Sequence, residues 1–136
     1  MNIRLIYFDM PFWRAEASRI ALFLGGIPFD DVRTTGEEFE KLKTAGTLPY
    51  GQLPVLEVDG TVIAQSVAIA RFCGKQAGLY PMDNDVNAAR VDELLDTATQ
   101  ITELLSPSFG ETDSGKRAAM RDELASQTLP TWLGFL

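Results

Sequence analysis

Two polar side chains, Gln65 and Ser66, stand directly before an apolar run that continues to Cys73. Serine is a preferred residue type at the start of a helix. The first turn of a helix presents free N–H groups and the positive end of the helix dipole. The pair therefore predicts a binding site for a carboxylate or a phosphate at the beginning of this helix.

Several kinds of chemistry are excluded by composition. The chain has no histidine, which excludes histidine-based catalytic triads and most zinc sites. Its one cysteine, Cys73, lies within an apolar helix, where burial keeps a thiol protonated and unreactive. The first predicted strand ends on Tyr7 and Phe8 with no Cys-x-x-Cys after it, so disulfide exchange is excluded there. A tyrosine, Tyr7, stands at that strand end instead.

The first 80 residues predict strands and helices in the order βαβαββα. Asp59-Gly60 between two short β-branched runs is a strong hairpin signal, because a tight primed turn needs positive φ angles. The helix predicted between the second and third strands has only Phe39 and Leu42 as apolar residues, so we expect it to be thinly anchored. The predicted elements are a strand at 3–8, a helix at about 14–24, a strand at 28–32, a helix from 35 or 36, a hairpin at 55–58 and 61–64, and a helix from 65. This order resembles the thioredoxin fold.

The rest of the chain predicts helices only. We place a domain boundary at Tyr80-Pro81, giving domains at 1–80 and 81–136, because the composition becomes acidic there. A helix is predicted over 83–105, a polar loop over 106–115, and a second helix over about 116–129. An apolar cluster then ends the chain, formed by Trp132, Leu133, Phe135 and Leu136. An apolar cluster without a later element to cover it is typical of an interface or of a core that is cut short.

Composition also limits the partners. The chain has 136 residues and a net charge of −7, which argues against a nucleic-acid surface. One cysteine cannot form a disulfide framework, and no apolar run approaches the ~20 residues that span a bilayer. The first ten residues do not have the pattern of a signal peptide. We therefore expect a cytoplasmic protein that binds neither nucleic acid nor membrane.

Four groups of residues together resemble the glutathione transferases of the tyrosine type, and most closely the sigma class. They are Tyr7-Phe8, Arg14-Ala15-Glu16 with Arg19, the stretch LPYGQLPVLEVDG at 48–60, and Gln65-Ser66 with 68–71. The resemblance implies an α/β, thioredoxin-like glutathione-binding domain followed by an all-helical C-terminal domain that is incomplete here. It also implies glutathione as co-substrate, no metal, and a homodimer if the C-terminal domain is complete.

The resemblance assigns the binding of the glutathione peptide. Tyr7 matches the catalytic tyrosine, whose hydroxyl donates a hydrogen bond to the glutathione sulfur. Gln65 and Ser66 match the residues that hold the γ-glutamyl group, which agrees with the anion site predicted from the helix start. Leu53 matches the residue whose main chain pairs with the cysteinyl part, and Pro54 matches the family's cis-proline.

Further positions are assigned in the same way. Lys43 matches the lysine that meets the glycyl carboxylate, and Phe39 stands where the sigma class has a tryptophan. Gln52 matches a side-chain contact of related classes, and Arg14 matches an arginine beside the active site. Asp96 matches the aspartate that reaches glutathione across the dimer interface.

The second-substrate pocket is expected to take small hydrophobic electrophiles, and Phe12 or Trp13 is expected to line it. The resemblance implies conjugation of the glutathione thiolate to such an electrophile. Two alternatives stay open: a glutathione-dependent isomerase acting on prostaglandin-type substrates, and a non-catalytic binding or structural protein.

Overall fold

The computed structural model describes residues 1–11 and 13–135. The chain divides into two compact units, Met1–Ala89 and Arg90–Leu136, and each is described by itself. The domain boundary predicted after residue 80 stays a prediction.

The first unit is built on a four-stranded mixed sheet with the strand order β2-β1-β3-β4. The strands are β1 (Ile3–Phe8), β2 (Asp30–Thr34), β3 (Val55–Val58) and β4 (Thr61–Ala64). β2 runs parallel to β1, whereas β3 is antiparallel to β1 and to β4. The central strand β1 is mostly buried, as expected for a strand that is apolar on both faces.

Three helices accompany the sheet: α1 (Glu16–Leu24), α2 (Gly36–Thr44) and α3 (Ser66–Gln76). α1 and α3 pack against each other and supply Leu22, Ile69 and Cys73 to the core. These side chains meet Leu5 and Leu56 of the sheet, and all five are fully buried. The predicted βαβαββα order and the thioredoxin-like fold are therefore confirmed.

The hairpin was predicted correctly, since its turn is determined locally. Asp59 and Gly60 have φ angles of 48° and 84°, and Val58 pairs with Thr61 across them. Two positive φ angles are the signature of a type I′ turn, whose twist matches that of the flanking strands.

Two predicted boundaries in this unit were wrong. β2 covers Asp30–Thr34 rather than 28–32, because its register on β1 starts at the pairing of Arg4 with Asp30. Pro28 has no N–H to donate to such a ladder. α1 begins at Glu16 rather than near residue 14. The backbone of Trp13 is not helical, since its φ angle is 109°, and Ala15 is the N-cap of the helix.

α2 is anchored differently from α1 and α3. It buries no residue, although Phe39 and Leu42 pack against the edge of the core. Its start is closed by a capping box, in which Thr35 and Glu38 exchange hydrogen bonds. The expected thin anchoring of this helix is confirmed.

The second unit is helical. Its elements are α4 (Asp85–Leu105), within which the two units divide, α5 (Pro107–Gly110), α6 (Ser114–Glu123), a π-helical turn (Leu124–Thr128) and α7 (Leu129–Leu133). The short helix α5 lies in the segment that was predicted as a loop. The π-turn ends just before Pro130, which has no N–H to donate. At its end the N–H of Leu129 donates to the carbonyl of Leu124, five residues back, as in a π-helix. The helix predicted from Lys116 begins two residues earlier, after an Asp113 cap.

Throughout residues 1–11 and 13–135, no helix combines the length and the apolar character that crossing a membrane would require.

The buried thiol of Cys73 makes a prediction about stability. Burial raises the pKa of Cys73 to about 11, from an ordinary value of 9.0. Between these two values the unfolded thiol ionises while the folded one keeps its proton, so the free energy of unfolding falls as pH rises. We expect Cys73 to account for a loss of about 2–3 kcal/mol between pH 9 and 11.

Urea unfolding of the wild-type chain and of Cys73→Ala between pH 9 and 11 measures the effect. The other groups that ionise in this range are the same in both proteins, so the difference between the two profiles belongs to Cys73. Parallel pH profiles for the two proteins would contradict the prediction.

Candidate functional site

Tyr7 lies near the end of β1 and is almost completely buried, at 3% exposed. Its ring contacts that of Phe8 edge to face, with the centroids 5.6 Å apart. The phenol lies one residue before the strand ends at Phe8, whereas the charged residue of the strand, Arg4, lies near its beginning and is partly exposed. The structure therefore places the predicted catalytic side chain in a desolvated position.

The protonation state of Tyr7 is determined mainly by this burial, which raises its pKa above the ordinary value of 10.0. The main-chain N–H and the charge of Arg14, and then the charge of Arg19, act in the opposite direction, while Glu16 adds to the increase. The increase prevails, so Tyr7 is a neutral phenol at physiological pH. A neutral hydroxyl can donate a hydrogen bond to an anion.

Arg19 lies against the ring of Tyr7, with its guanidinium carbon 5.9 Å from the ring centroid. Its side chain is only 9% exposed and is paired with Glu16 of α1 and, at 3.0 Å, with Asp31 of β2. The remaining terminal nitrogen is buried without a hydrogen-bond acceptor among the described residues. The aromatic face of Tyr7 is the electron-rich surface near this cation.

The loop before β3 presents main-chain groups. The Leu53–Pro54 bond is cis, as expected from the resemblance, and both residues are buried. Neither the N–H nor the C=O of Leu53 forms a hydrogen bond within the described residues. Buried main-chain groups are nearly always paired, so these two are available to a bound peptide.

The start of α3 is the place where the sequence predicts an anion site, which stays a prediction. Ser66, a preferred N-cap type, is the first helical residue, and Gln65 is the N-cap instead. Gln65 has a φ of 73°, an uncommon value for a residue other than glycine, and is exposed. Neither side chain makes a capping hydrogen bond, which leaves the N–H groups of the first turn free for a ligand.

α2 contributes Phe39 and Lys43. The ring of Phe39 contacts Phe8, with the centroids 5.2 Å apart, and the Lys43 ammonium lies 5.9 Å from the Phe39 ring centroid. The Lys43 side chain also reaches Gly51, since a Cβ built at that glycine would be 3.8 Å from Lys43 Cε. The structure thus brings Lys43 beside Gly51, and the side chain of Gln52, the next residue, is exposed.

The other predicted residues are placed less completely. Arg14 is half-buried and acts on Tyr7 through its main chain and its charge. Trp13 is half-buried and packs against the core, whereas Phe12 lies outside the described residues. Asp96 is exposed on α4 in the second unit, and its contact across a dimer stays a prediction. Of the apolar terminal cluster, Leu136 lies outside the described residues, and the rings of Trp132 and Phe135 are 6.2 Å apart.

Two residues of this site were not assigned a role from the sequence. Phe8 joins Tyr7 to α2 through its two ring contacts. Arg19 was noted as part of the family pattern, but its contact with Tyr7 was not foreseen. A signal was present, because an arginine on the apolar side of a helix needs an acidic partner, and Glu16 stands three residues before it.

Within residues 1–11 and 13–135, no three or more His, Cys, Asp and Glu side chains form a group that could hold a metal ion. The expectation that no metal takes part stays a prediction.

The fold and this arrangement define a class of protein. The model of the glutathione S-transferase N-terminal domain matches residues 3–74, and the chain belongs to the glutathione S-transferase family.

Individual relatives cover nearly the whole chain. Hematopoietic prostaglandin D synthase of Gallus gallus is 34% identical over 98% of this chain and 67% of its own length. A glutathione S-transferase of Anopheles gambiae is 37% identical over 97% of this chain and 63% of its own length. The structure of prostaglandin synthase D of Nilaparvata lugens superposes with a TM-score of 0.88 at 34% identity, covering 98% of this chain and 65% of that one. The chain therefore spans about two thirds of the length of these relatives.

The position of Arg19 predicts its effect on Tyr7. Arg19→Met removes a cation that lowers the pKa of Tyr7 and leaves Glu16 and Asp31 nearby, so the pKa of Tyr7 should rise further. Arg19→Lys retains the charge and should restore most of the lower value. ¹³C NMR of the tyrosine Cζ carbons as a function of pH measures each phenol separately.

A matched control is available in the same unit, where Lys75 lies 5.0 Å from the ring centroid of Tyr80. Lys75→Met should leave the titration of Tyr7 unchanged. An unchanged Tyr7 titration in a folded Arg19→Met protein would contradict the assignment.

Proposed function

We propose that this chain is the glutathione-binding part of a tyrosine-type, sigma-like glutathione transferase that conjugates glutathione to small hydrophobic electrophiles. The observation that carries the proposal is the pair of unpaired main-chain groups on buried Leu53, beside Pro54. They offer one donor and one acceptor to an extended peptide, as an antiparallel strand neighbour does.

The remaining donors fit the two ends of glutathione. The free N–H groups at the start of α3 and the hydroxyl of Ser66 suit the α-carboxylate of the γ-glutamyl group. The ammonium of Lys43, beside Gly51, suits the glycyl carboxylate. Phe39 cannot donate a hydrogen bond and provides only an apolar surface at that end. Gln52 and Gln65, both exposed, supply additional polar contacts to the peptide.

Tyr7 acts on the sulfur of the bound peptide. Its neutral hydroxyl donates a hydrogen bond to the thiolate, which stabilises the charged form and lowers the pKa of the glutathione thiol. The thiol proton leaves to solvent. The sulfur lone pair then forms a bond to the electrophilic carbon, and the displaced group leaves with the electrons of its own bond. Tyr7 keeps its proton throughout and is not a base, in agreement with its raised pKa.

A second function is favoured by the names of two relatives, the prostaglandin D synthases of Gallus gallus and Nilaparvata lugens. An isomerase of this kind would use the same thiolate and return glutathione unchanged. Measuring glutathione consumption against product formation distinguishes the reactions, because conjugation consumes one glutathione for each product. The third alternative, a non-catalytic binding protein, would bind glutathione and show neither reaction.

The cellular setting is part of the proposal. We infer a cytoplasmic protein with a role in detoxification, which is a homodimer if the C-terminal domain is complete. In that dimer Asp96 contacts the α-amino group of the glutathione bound to the partner. Arg14 supports Tyr7, and Trp13 borders the electrophile.

Removing the Tyr7 hydroxyl tests the chemical step. Tyr7→Phe should lower kcat by about 10²–10³-fold, as expected when one donor to a developing anion is lost. It should also raise the pKa of bound glutathione while changing glutathione affinity little. Conjugation of 1-chloro-2,4-dinitrobenzene measures kcat, and thiolate absorbance as a function of pH measures the pKa. Tyr80→Phe removes a hydroxyl elsewhere in the unit and serves as control; equal rates in all three proteins would exclude the mechanism.

Removing the Ser66 hydroxyl tests the binding step. Ser66→Ala should weaken glutathione binding by about tenfold or more, since a hydrogen bond to a charged group contributes about 1.5–3 kcal/mol. Titration calorimetry with glutathione measures this directly. Ser114→Ala is the matched control, because Ser114 is likewise the first residue of its helix, α6. If Ser66→Ala and Ser114→Ala both bind like the wild type, the helix-start site is wrong.

A further inference from the structure

A cavity of about 420 Å³ lies between α2 and the sheet, apart from the glutathione residues. Its volume falls within the range of about 300–1,000 Å³ that is usual for small-molecule sites. None of the residues assigned to glutathione lines it. The lining consists of Arg4 and Ile6 of β1, Val32, Arg33 and Thr34 of β2, Glu38, Lys41 and Leu42 of α2, and Ala45 beyond it.

The cavity explains why α2 is thinly anchored. Ile6 pairs with Val32 in the sheet, so their side chains share the face that looks toward α2. Leu42 of α2 reaches this face only partly, and no residue of α2 is buried. α2 is held at its start by the Thr35 cap and along its length by Phe39 against Phe8 and by the partial packing of Leu42, and the cavity lies beneath the rest.

Most of the polar groups around the cavity are donors, and several keep unused N–H or O–H groups. Arg4 gives one terminal nitrogen to Glu57 at 2.8 Å, and its other N–H groups have no partner among the described residues. The hydroxyl of Thr34, a residue only 4% exposed, also has no described partner. Lys41 pairs with Glu37 in a largely exposed i,i+4 contact, which is weak.

The acidic group in the lining is already engaged. The carboxylate of Glu38 accepts hydrogen bonds from the N–H and the hydroxyl of Thr35, at 2.8 and 2.9 Å. The guanidinium of Arg33 is likewise bound to Asp31 and to the carbonyl of Met10. Apolar walls with spare donors at Arg4, Lys41 and Thr34 are complementary to an apolar molecule that carries a carboxylate.

We propose that this cavity is a second small-molecule site, specific for apolar carboxylates, and that its occupation strengthens glutathione binding through α2. A ligand beneath α2 would fix the helix that carries Phe39 and Lys43. Glutathione would then lose less conformational entropy on binding, which is positive coupling without any shared contact. The coupling, although not the site itself, rests on the proposed function.

The site is tested with 4-phenylbutyrate as probe and methyl NMR as readout. The probe should shift the methyl signals of Ile6, Val32 and Leu42 and leave those of Ile69, which is buried between α3 and the sheet, unchanged. 4-Phenylbutanol, which lacks the carboxylate, should bind at least about tenfold more weakly, a difference typical of losing a charged hydrogen bond. Equal binding of acid and alcohol, or shifts that spare the three cavity methyls, would overturn the site.

One variant and its control locate the anion contact. Arg4→Gln should weaken the binding of 4-phenylbutyrate by about tenfold. Lys75→Gln, which removes a lysine near the end of α3, is the control and should not change the affinity. Leu42→Phe fills part of the cavity and should abolish binding by a different route, so the test does not depend on either variant alone. Wild-type affinity in a folded Arg4→Gln protein would contradict the assignment.

The coupling is measured by titrating glutathione with and without saturating 4-phenylbutyrate. We expect glutathione to bind at least about fivefold more tightly in its presence, and the probe to gain the same factor from glutathione, as linkage requires. Identical glutathione affinities would refute the coupling. If glutathione does not bind even without the probe, the proposed function fails while the methyl shifts still decide whether the cavity binds carboxylates.

Discussion

The burial of the central strand β1 constrains the rest of the first unit. Ile3, Leu5, Ile6 and Tyr7 are buried, and an unpaired polar group at such a position would lose hydration without compensation. The charged residue of the strand, Arg4, is partly exposed and paired with Glu57. Tyr7 combines a buried ring with a hydroxyl that accepts a hydrogen bond from the main-chain N–H of Arg14. The same burial raises the pKa of Tyr7 and keeps it a hydrogen-bond donor.

The two helices that border the proposed glutathione site are held very differently. α3 is fixed through Ile69 and Cys73, which are fully buried against α1 and the sheet. The anion site that we propose at its N-terminus is therefore anchored to the core. α2 buries no residue and stands over a cavity, so Phe39 and Lys43 lie on a helix with few buried contacts. In the proposed complex, one end of the peptide would meet a preorganised group, and ordering the other end would cost conformational entropy.

Predictions from the sequence succeeded where the determinants are local. The Asp59-Gly60 turn needs two positive φ angles, and its hairpin was placed at the correct residues. The helix α2 was predicted to begin at residue 35 or 36, and it begins at Gly36. The boundaries of β2 and α1 were wrong by two residues, because β2 is determined by its register on β1 and α1 by the backbone of Trp13. The helix α5 was missed, since its four residues have no apolar periodicity to reveal them.

The sequence alone determined the order of elements and the central position of β1, and it predicted an anion site before α3. These depend on residue type and on spacing along a few turns or strands, whereas the resemblance to a family added Tyr7 and Leu53 as candidates. Only the tertiary structure decided that Arg19 lies under Tyr7, that the main chain of Leu53 is unpaired, and that α2 stands over a cavity. These features depend on contacts between residues far apart in the chain. The packing of whole elements sets such contacts, and no local pattern specifies that packing.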